Sequence, residues 1–499
     1  MKLISFPLIV ALCMSVLHGS AHSKDYGDGL ENFAGSRVLE NADGRYDHWR
    51  GIGRLYTDSY CTATLLDTLD STVAGPTPAY VVTTGFCTRQ IDQSNMTDTP
   101  ISGHMYFSYF ADTLLFQTYP VKKVAWRSMH GSNISIIELD VSLQELIKAG
   151  ITPLKLALGH PSDGTDVLTV GASLGFPKTT LRMAACTLQS PEEVVRGQFV
   201  WRNNVMNQCK DLAGGSEGSP ILDRYSNEIV GVLNTSTPPG GFAPCEWHAP
   251  CMRTDSGYES SPANHYGTAT AFLNGCFVQG HLVKDETPSC ALYPSFSVDL
   301  EANSPARYQR VVKQPDGTTA IPTWNYRFNI STAFYRHKTV RAAKHCESGH
   351  NYSDPISSVD AFIDTAIGTQ PGFYFLCIIG VDSSGPAEPL TTLSLPVEIL
   401  DGAPTAQPNL SIYAGIGVAL EQSETQYHTY TVKFGPLETT DCTEAKDYEP
   451  YNQKGYLLIN EQLPQRFCSI AYDKMGQASK PREDLLSSTT SRQDTSPTP

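Results

Sequence analysis

The sequence predicts an all-β protein, and two observations support this fold class. From Gly51 to Cys276 the chain consists of short apolar runs, many of them β-branched, separated by Gly, Pro, Asn and Asp. This pattern is typical of a β-barrel or a β-sandwich. Beyond Cys290 an internal repeat carries its own pairs of cysteines, which indicates additional β modules.

Size and composition limit the classes of protein to consider. The chain has 499 residues, which suggests about three domains. A hydrophobic content of 40% excludes a wholly disordered protein. The net charge is -15 and there is no cluster of basic residues, so the chain lacks the Lys and Arg groups with which proteins contact nucleic-acid phosphates.

The first 21 residues have the three parts of a secretory signal peptide. Lys2 is followed by an apolar run from Leu3 to Leu17 and then by small residues as far as Ala21. No later stretch is long and apolar enough to span a bilayer. We therefore expect a secreted, extracellular protein whose twelve remaining cysteines form disulfides.

Sequons for N-linked glycosylation support the same destination only weakly, because such short motifs often arise by chance. The candidate glycosylation sites are Asn95, Asn234, Asn329, Asn351 and Asn409, and Asn133 also lies in a sequon.

Individual elements can be placed within the region before Cys276. One helix is expected at Leu143–Ala149, where Ser142 and Glu145 can form a capping box and Gly150 can end the helix. The strands expected with most support from the apolar pattern are Ala79–Thr84, Ile134–Leu139, Val167–Val170 and Ile229–Leu233.

The repeat is recognised by matching positions around its cysteines. In each copy a Tyr follows the first cysteine by six positions, and the second cysteine begins the pattern Cys-x-Ile-x-x-Asp. The pairs are Cys346 with Cys377 and Cys442 with Cys468, as expected for two immunoglobulin- or fibronectin-like sandwiches with one disulfide each. The predicted units are a first domain at 22–285, sandwiches at 286–400 and 401–480, and a disordered tail at 481–499.

No cofactor or metal site is expected. His345, Cys346 and His350 could suggest zinc, but the disulfide of the repeat explains Cys346 better. The sequence contains no glycine-rich phosphate loop and no calcium-binding loop.

Three ordered segments resemble trypsin-like serine proteases. The first is Cys61-Thr-Ala-Thr-Leu-Leu with Ala79-Tyr-Val-Val-Thr-Thr-Gly-Phe-Cys87, the second is Asn133-Ile-Ser-Ile-Ile-Glu-Leu, and the third is Gly214-Gly-Ser-Glu-Gly-Ser-Pro220. They occur in the order in which the family carries its catalytic His, Asp and Ser. The resemblance spans about residues 35–280 and implies a double β-barrel.

All three catalytic positions implied by the resemblance are substituted: Phe86 stands for the His, Asn133 for the Asp and Glu217 for the Ser. A phenyl ring cannot carry the proton that the family's base transfers. Asn133 has no charge with which to stabilise an imidazolium, and a carboxylate at 217 is a poor acyl acceptor. The resemblance therefore implies that the chain has no catalytic residue and that it is a pseudoprotease.

The surrounding framework of the family is retained. Cys61 and Cys87 match its disulfide beside the catalytic His, and Gly215 and Gly218 permit the tight turn whose N–H groups form an oxyanion hole. In this framework the oxyanion-hole positions are Gly215 and Glu217. We expect the Glu217 carboxylate to lie at this hole and block it.

Proximity and the family framework suggest three further pairs, although a sequence cannot prove connectivity. These are Cys186–Cys209, Cys245–Cys251 and Cys276–Cys290. If the alignment is slipped, Ser216 or Ser219 becomes the nucleophile, but no His is placed to assist it.

The function that the sequence favours is a secreted, catalytically inactive protease homologue that binds an extracellular protein or glycan as a decoy or regulator. One alternative is a trypsin-like protease with a rearranged active site. Another is a component of the extracellular matrix or cell surface. The sequence does not indicate the oligomeric state.

Overall fold

The computed structural model describes most of the chain, and every structural statement below concerns these residues. The described residues are 24–73, 75–88, 95–129, 131–237, 244–247, 249–254, 257–283, 290, 292, 296–298, 305–314, 316–382, 392–408, 410–413, 417–420, 426–451, 456–457 and 463–487. The leader, the sequon at Asn409 and most of the predicted tail lie outside them.

The N-terminal half of the first domain contains eight strands and the α-helix. The strands are β1 Arg37–Val38, β2 Ile52–Tyr56, β3 Tyr60–Leu65, β4 Pro78–Thr83, β5 Met96–Pro100, β6 His104–Phe107, β7 Gln117–Ser128 and β8 Ile134–Ser142. The helix α1 is Leu143–Lys148, and 3₁₀ helices occur at Asp47–Trp49 and Gly85–Thr88.

Six of these strands close into a barrel. The hydrogen-bonded order is β7-β6-β2-β3-β4-β8, and β8 pairs again with β7. Both ends of the sheet are therefore joined, so no strand edge of the ring is left open. Inside the barrel, buried aliphatic side chains such as Leu55, Val81 and Ile137 pack against one another. They come from alternate positions of neighbouring strands, as the two-residue period of a strand requires.

Ten strands follow, and six of them form a second closed barrel. They are β9 Asp166–Gly171, β10 Arg182–Gln189, β11 Val194–Arg196, β12 Phe199–Trp201, β13 Asn204–Asn207, β14 Pro220–Asp223, β15 Ile229–Ser236, β16 Cys251–Thr254, β17 Gly257–Glu259 and β18 His265–Ala269. The ring order is β10-β13-β18-β15-β14-β9, closed by pairing of β9 with β10. The strands β12-β11-β16-β17 form a separate sheet beside it.

The two closed six-stranded barrels confirm the double-barrel fold that the resemblance implies. The helix prediction is also confirmed: α1 begins after Ser142, whose hydroxyl accepts from the Glu145 N–H while the Glu145 carboxylate accepts from the Ser142 N–H. Each of the four predicted strands overlaps an observed one, namely β4, β8, β9 and β15.

The chain then forms several smaller sheets. The remaining 3₁₀ helices are Ala271–Cys276 and Ala343–Glu347, and the strands are β19 Phe277–Val278, β20 His281–Leu282, β21 Tyr308–Arg310, β22 Val312–Lys313, β23 Thr319–Ala320, β24 Tyr326–Arg327, β25 Phe334–Val340, β26 Ile356–Ser357, β27 Phe362–Ile363, β28 Gly372–Val381, β29 Leu393–Leu400, β30 Leu410–Tyr413, β31 Gly417–Leu420, β32 Thr429–Pro436, β33 Glu449–Pro450, β34 Tyr456–Leu457, β35 Gln465–Tyr472 and β36 Arg482–Leu486. The first repeat contains the sheet β21-β29-β28-β25-β26 and the second the sheet β33-β32-β35-β36.

Two predicted limits are shifted. The tail was expected from residue 481, but Arg482–Leu486 is a strand paired with β35, and Leu486 is buried. Leu486 packs with Val432 and Phe467, an apolar contact that the polar composition around it conceals. The first domain was expected to end at 285, yet Cys290 and Leu292 are buried in the core that the two barrels share.

The first repeat packs directly on the second barrel. Buried aromatic side chains of β12, Phe199 and Trp201, belong to one apolar core with Trp324 and Leu395 of the repeat. At the edge of this core, Arg202 donates to Glu347 Oε1 and to Ser394 Oγ, each at 2.7 Å. The repeat thereby covers the outer side of the β11–β12 hairpin.

Candidate functional site

The structure brings together the three positions that the resemblance singles out. Phe86 lies in the 3₁₀ turn after β4, Asn133 immediately precedes β8, and Glu217 lies three residues before β14. The Asn133 side chain borders Gly85 on one side of Phe86. On the other side, the Cys87 sulfur lies 3.9 Å from the Glu217 carbonyl oxygen. The three residues are therefore neighbours in space, as the resemblance implies.

Among the described residues, Phe86 contacts three aromatic rings and one guanidinium. Its ring makes edge-on contacts with Phe199, Trp201 and Trp247, with centroids 5.7, 5.7 and 5.6 Å away. The guanidinium of Arg196 lies over the Phe86 ring, 4.7 Å from its centroid. Edge-to-face packing of this kind stabilises aromatic clusters. We call Phe86, Phe199, Trp201 and Trp247 the aromatic cluster.

Asn133 is fully buried. Its backbone N–H donates to Thr268 Oγ1 at 3.3 Å. Neither atom of its side-chain amide contacts a hydrogen-bond partner among the described residues. Asn234 lies beside it, and with its amide nitrogen toward Asn133 it donates to the Asn133 carbonyl at 2.9 Å. A charge at position 133 would therefore be buried without a partner.

The Glu217 side chain folds back onto the turn that carries it. Its Oε2 accepts from the Gly215 N–H at 2.8 Å, and the Glu217 N–H also donates to this carboxylate. These are the two N–H groups that the family framework assigns to the oxyanion hole. The carboxylate thus accepts from both of these N–H groups.

Burial governs the charge of this carboxylate. Removal from water raises the pKa of Glu217, while the two backbone N–H groups and the nearby Arg196 oppose that rise. The N–H groups favour the ionised form because they donate only to an acceptor. A second anion cannot reach these donors while the Glu217 carboxylate holds them.

Two glycines shape the turn. Gly215 and Gly218 have φ values of +87° and +84°, a region that L side chains rarely adopt. A Cβ on Gly218 would lie 2.0 Å from the Thr62 carbonyl oxygen. The turn also joins the barrels, because Thr62 of β3 donates to the Glu217 carbonyl at 2.8 Å and Gly218 donates to Leu233 of β15 at 2.7 Å.

The serines beside Glu217 are buried, and no histidine among the described residues is hydrogen-bonded to them. The Ser216 hydroxyl is hydrogen-bonded to Ser173, and Ser219 Oγ has no partner among the described residues. Ser216 and Ser219 are 1% and 0% exposed, so neither can meet a substrate. The structure thus gives no support to a slipped alignment.

A serine–histidine contact does occur elsewhere in the second barrel. The His265 ring lies 2.7 Å from Ser236 Oγ, across the β15–β18 pair. Burial lowers the pKa of His265 to about 4, so the ring is a weak base at neutral pH. The sequence analysis did not identify this pair, because the two residues are joined only by strand register.

The cysteines pair as the sequence analysis expects. Each bond joins residues whose Cα atoms are 4.7 to 6.0 Å apart. The six disulfides are Cys61–Cys87, Cys186–Cys209, Cys245–Cys251, Cys276–Cys290, Cys346–Cys377 and Cys442–Cys468.

Burial distinguishes the sequons. Asn329 and Asn351 are exposed, and Asn95 is half-buried. Asn234 is only 1% exposed within β15, so the expectation of a glycan there is wrong for the folded protein. Asn133, at 0% exposure, is buried in the same way. A strand that faces a closed core leaves no room for an oligosaccharide.

Within the part of the chain that the structure describes, no group of three His, Cys, Asp or Glu side chains is spaced to hold a metal ion. No helix among these residues has both the length and the apolar character needed to cross a bilayer.

The residue that the sequence analysis missed is Arg196. It ends β11, and its Nε donates to the Trp247 carbonyl at 2.8 Å. Its guanidinium lies 4.7 Å from the centroids of both Phe86 and Trp247. These contacts join residues that are distant in sequence, so no local pattern could reveal them.

Comparison with known proteins gives matches to structures alone. No family model matches the sequence, and no curated protein matches it. Among solved structures, 317 chains match. They include Rv3671c from M. tuberculosis in an inactive form, at 10% identity over 47% of this chain and 91% of that one, with a TM-score of 0.29.

Two other matching structures are human heparin binding protein and a Glu endopeptidase. Each is 15% identical to this chain over 48% of its length. The match covers 93% of heparin binding protein with a TM-score of 0.30, and 94% of the Glu endopeptidase with a TM-score of 0.31. No activity of this chain follows from these similarities. By its own strand pairing, the first domain has the double-barrel architecture of trypsin-like proteases.

Proposed function

We propose that this chain is a secreted, catalytically inactive homologue of trypsin-like proteases that acts by binding an extracellular partner. The observation that carries the proposal is the Glu217 carboxylate on the Gly215 N–H at 2.8 Å. An acyl-transfer enzyme needs these donors free for the oxyanion of its substrate. Here a side chain of the protein itself takes them.

The surroundings of Phe86 support the loss of catalysis. General-base catalysis requires a titratable group within hydrogen-bond reach of the nucleophile. Position 86 carries a phenyl ring packed among Phe199, Trp201 and Trp247. The serine–histidine pair at Ser236 and His265 does not replace it, because burial lowers the pKa of the ring to about 4.

The six disulfides favour the extracellular compartment, since such bonds persist in oxidising surroundings. The proposal includes cleavage of the leader at 1–21 and glycans on the exposed Asn329 and Asn351 and the half-buried Asn95. It also treats the two C-terminal repeats as β-sandwich modules that present loops to a partner.

A fluorophosphonate probe tests whether the site is catalytic. The purified full chain should stay unlabelled at probe concentrations that label trypsin fully. A triple variant with Phe86→His, Asn133→Asp and Glu217→Ser should gain labelling. It restores the general base, the carboxylate that stabilises the protonated base, and the nucleophile. The matched control carries Glu217→Ala in place of Glu217→Ser and should remain unlabelled.

Each outcome of this experiment has a meaning. Labelling of the unaltered chain on a serine would overturn the proposal in favour of a rearranged protease. A triple variant that folds but stays unlabelled would show that the three positions do not form a degenerate triad. Affinity capture from the native extracellular fluid, compared with the insoluble fraction, separates a soluble partner from a matrix component.

A further inference from the structure

The strongest unexplained feature near the blocked site is the guanidinium of Arg196. Its central carbon lies 4.7 Å from the ring centroids of both Phe86 and Trp247, two rings that meet edge to face. Its Nε is already used, since it donates to the Trp247 carbonyl at 2.8 Å. The position of the group is therefore fixed by three contacts.

The β11–β12 hairpin and a disulfide loop hold this arrangement in place. Gly197, in the turn that follows Arg196, donates to the Cys245 carbonyl at 2.8 Å. Cys245 is in turn bonded to Cys251, which lies on β16 beside β11. The loop that supplies Trp247 is thus fastened at both ends to the sheet that supplies Arg196.

The two Nη atoms of Arg196 are the unused part of the group. Among the residues that the structure describes, no acceptor hydrogen-bonds them and no carboxylate forms an ion pair with Arg196. Glu217 is near enough to raise the pKa of Arg196, but the Glu217 carboxylate accepts its hydrogen bond from the Gly215 N–H. Loss of water around the guanidinium lowers the pKa of Arg196 to about 10, so the group is still charged at neutral pH.

A partly buried cation without a hydrogen-bonded anion is energetically unfavourable, and an incoming anion that bonds to it reduces that cost. The planar fork of arginine matches a carboxylate through two parallel hydrogen bonds. We propose that Arg196 is a binding point for a carboxylate of the extracellular partner. This inference rests on the proposed function, and it names the chemistry by which the inactive site recognises its ligand.

A carboxylate fits the surroundings better than a phosphate or sulfate group does. Glu217 is close, and the whole chain carries a net charge of -15. Repulsion from these charges rises with the charge of the ligand, so a single negative charge is tolerated best. Phe86 and Trp247 are only partly buried, so the parts of their rings that Arg196 leaves uncovered can contact the methylene groups of a glutamate side chain.

The test uses the full chain and small probes of defined chemistry. N-acetyl-glutamate amide presents one carboxylate, N-acetyl-glutamine amide presents none, and acetyl-alanine presents a chain terminus. Tryptophan fluorescence follows each titration, because Trp247 lies against the proposed site. We expect saturable binding of the glutamate probe and a dissociation constant about tenfold or more higher for the glutamine probe, as loss of a charged hydrogen-bonded pair requires. Acetyl-alanine shows whether a chain terminus serves as well as a side chain.

Variants assign the binding to Arg196. Arg196→Gln should abolish binding of the glutamate probe, and Arg196→Lys, which keeps the charge but loses the fork, should weaken it. Glu217→Gln should strengthen it, because a nearby negative charge is removed. The matched control is Arg182→Gln, since Arg182 also lies over an aromatic ring, that of Phe176, but its guanidinium already donates to Ser36.

Circular dichroism and thermal unfolding confirm that each variant is folded. Equal binding of the glutamate probe to the unaltered chain and to folded Arg196→Gln overturns the inference, and so does the absence of saturable binding. Tighter binding of N-acetyl-phosphoserine amide than of the glutamate probe would also contradict it. If the chain binds none of these probes and stays unlabelled by fluorophosphonate, only the inference of a carboxylate site is overturned. If fluorophosphonate labels the unaltered chain, the proposed function itself is overturned.

Discussion

Lys338 of β25 lies directly opposite Cys377 of β28 in the first repeat. Its ammonium group donates to the carbonyl oxygens of Ser348 and His350, at 2.6 and 3.0 Å, and lies 4.3 Å from the centroid of the Tyr352 ring. The lysine thus holds the loop that follows the first cysteine of the repeat.

The second repeat has the same arrangement. Lys433 lies opposite Cys468, and its ammonium group donates to the carbonyls of Asp441 and Glu444 at 2.5 and 2.8 Å. The ring of Tyr448 lies 4.7 Å away, and its hydroxyl donates to the Cys442 carbonyl. The lysine, the tyrosine and the disulfide therefore form one structural unit that occurs twice.

The first prediction concerns this unit. Lys433→Met should destabilise the second repeat by about 2 kcal/mol, because several carbonyl groups lose a charged donor. Hydrogen exchange of the backbone between residues 441 and 448 should become faster. Tyr448→Phe, which keeps the ring and loses one hydrogen bond, should cost about 1 kcal/mol. Unchanged exchange in Lys433→Met would show that the lysine does not hold the loop.

The second prediction tests the relation between Phe86 and Asn133. Asn133→Asp alone should destabilise the first domain by about 3 kcal/mol at neutral pH, because it buries an unpaired charge. Phe86→His supplies a partner for that charge. The double variant should therefore be more stable, by about 1 kcal/mol or more, than the sum of the two single-variant effects predicts. Denaturant unfolding of all four proteins measures this coupling. Strict additivity would mean that a His at 86 does not reach residue 133.

The third prediction concerns acid stability. His265 has a pKa of about 4 in the folded chain against 6.5 in the unfolded chain, so the unfolded state binds a proton more tightly between these values. The free energy of unfolding is therefore unaffected by this histidine above pH 6.5. It decreases as the pH falls from 6.5 to about 4, by up to about 3 kcal/mol in total. His265→Gln should remove this part of the pH dependence.

Unfolding of the first domain measured at several pH values checks the effect. His48→Gln is the comparison, because burial also lowers the pKa of His48 to about 4 but its ring is only half-buried. We expect a change in the same direction there. Identical pH profiles for His265→Gln and the unaltered chain would contradict the assignment.

The fourth prediction concerns the turn around Glu217. Gly218→Ala should destabilise the first domain by about 3 kcal/mol or more, since its Cβ would meet both the Thr62 carbonyl and Thr83 Oγ1 at a positive φ. Gly214→Ala is the matched control, because no atom lies within 4 Å of the position of its Cβ. Thermal unfolding should separate the two variants clearly. Equal stability would show that the backbone can shift to accommodate the methyl group.

Local patterns were sufficient to predict four strands and the capped helix, because each depends on neighbouring residues. The cysteine pairs were predicted from the repeat, from the resemblance to the protease family and from proximity in the sequence. The aromatic cluster was not predicted, since Trp247 and Phe199 reach Phe86 only through the packing of a hairpin and a disulfide loop. The repeated lysine also escaped notice. Lys338 precedes Cys346 by eight positions but Lys433 precedes Cys442 by nine, so alignment on the cysteines separates two equivalent residues.

The peptide between Glu217 and Gly218 has a consequence beyond the site itself. Its two hydrogen bonds, to Thr62 and Leu233, fasten one barrel to the other through main-chain atoms. A different side chain at position 217 would therefore leave these hydrogen bonds intact, whereas a change in the backbone conformation of the turn would break them. The mechanical coupling of the two barrels is thus independent of which side chain stands at position 217.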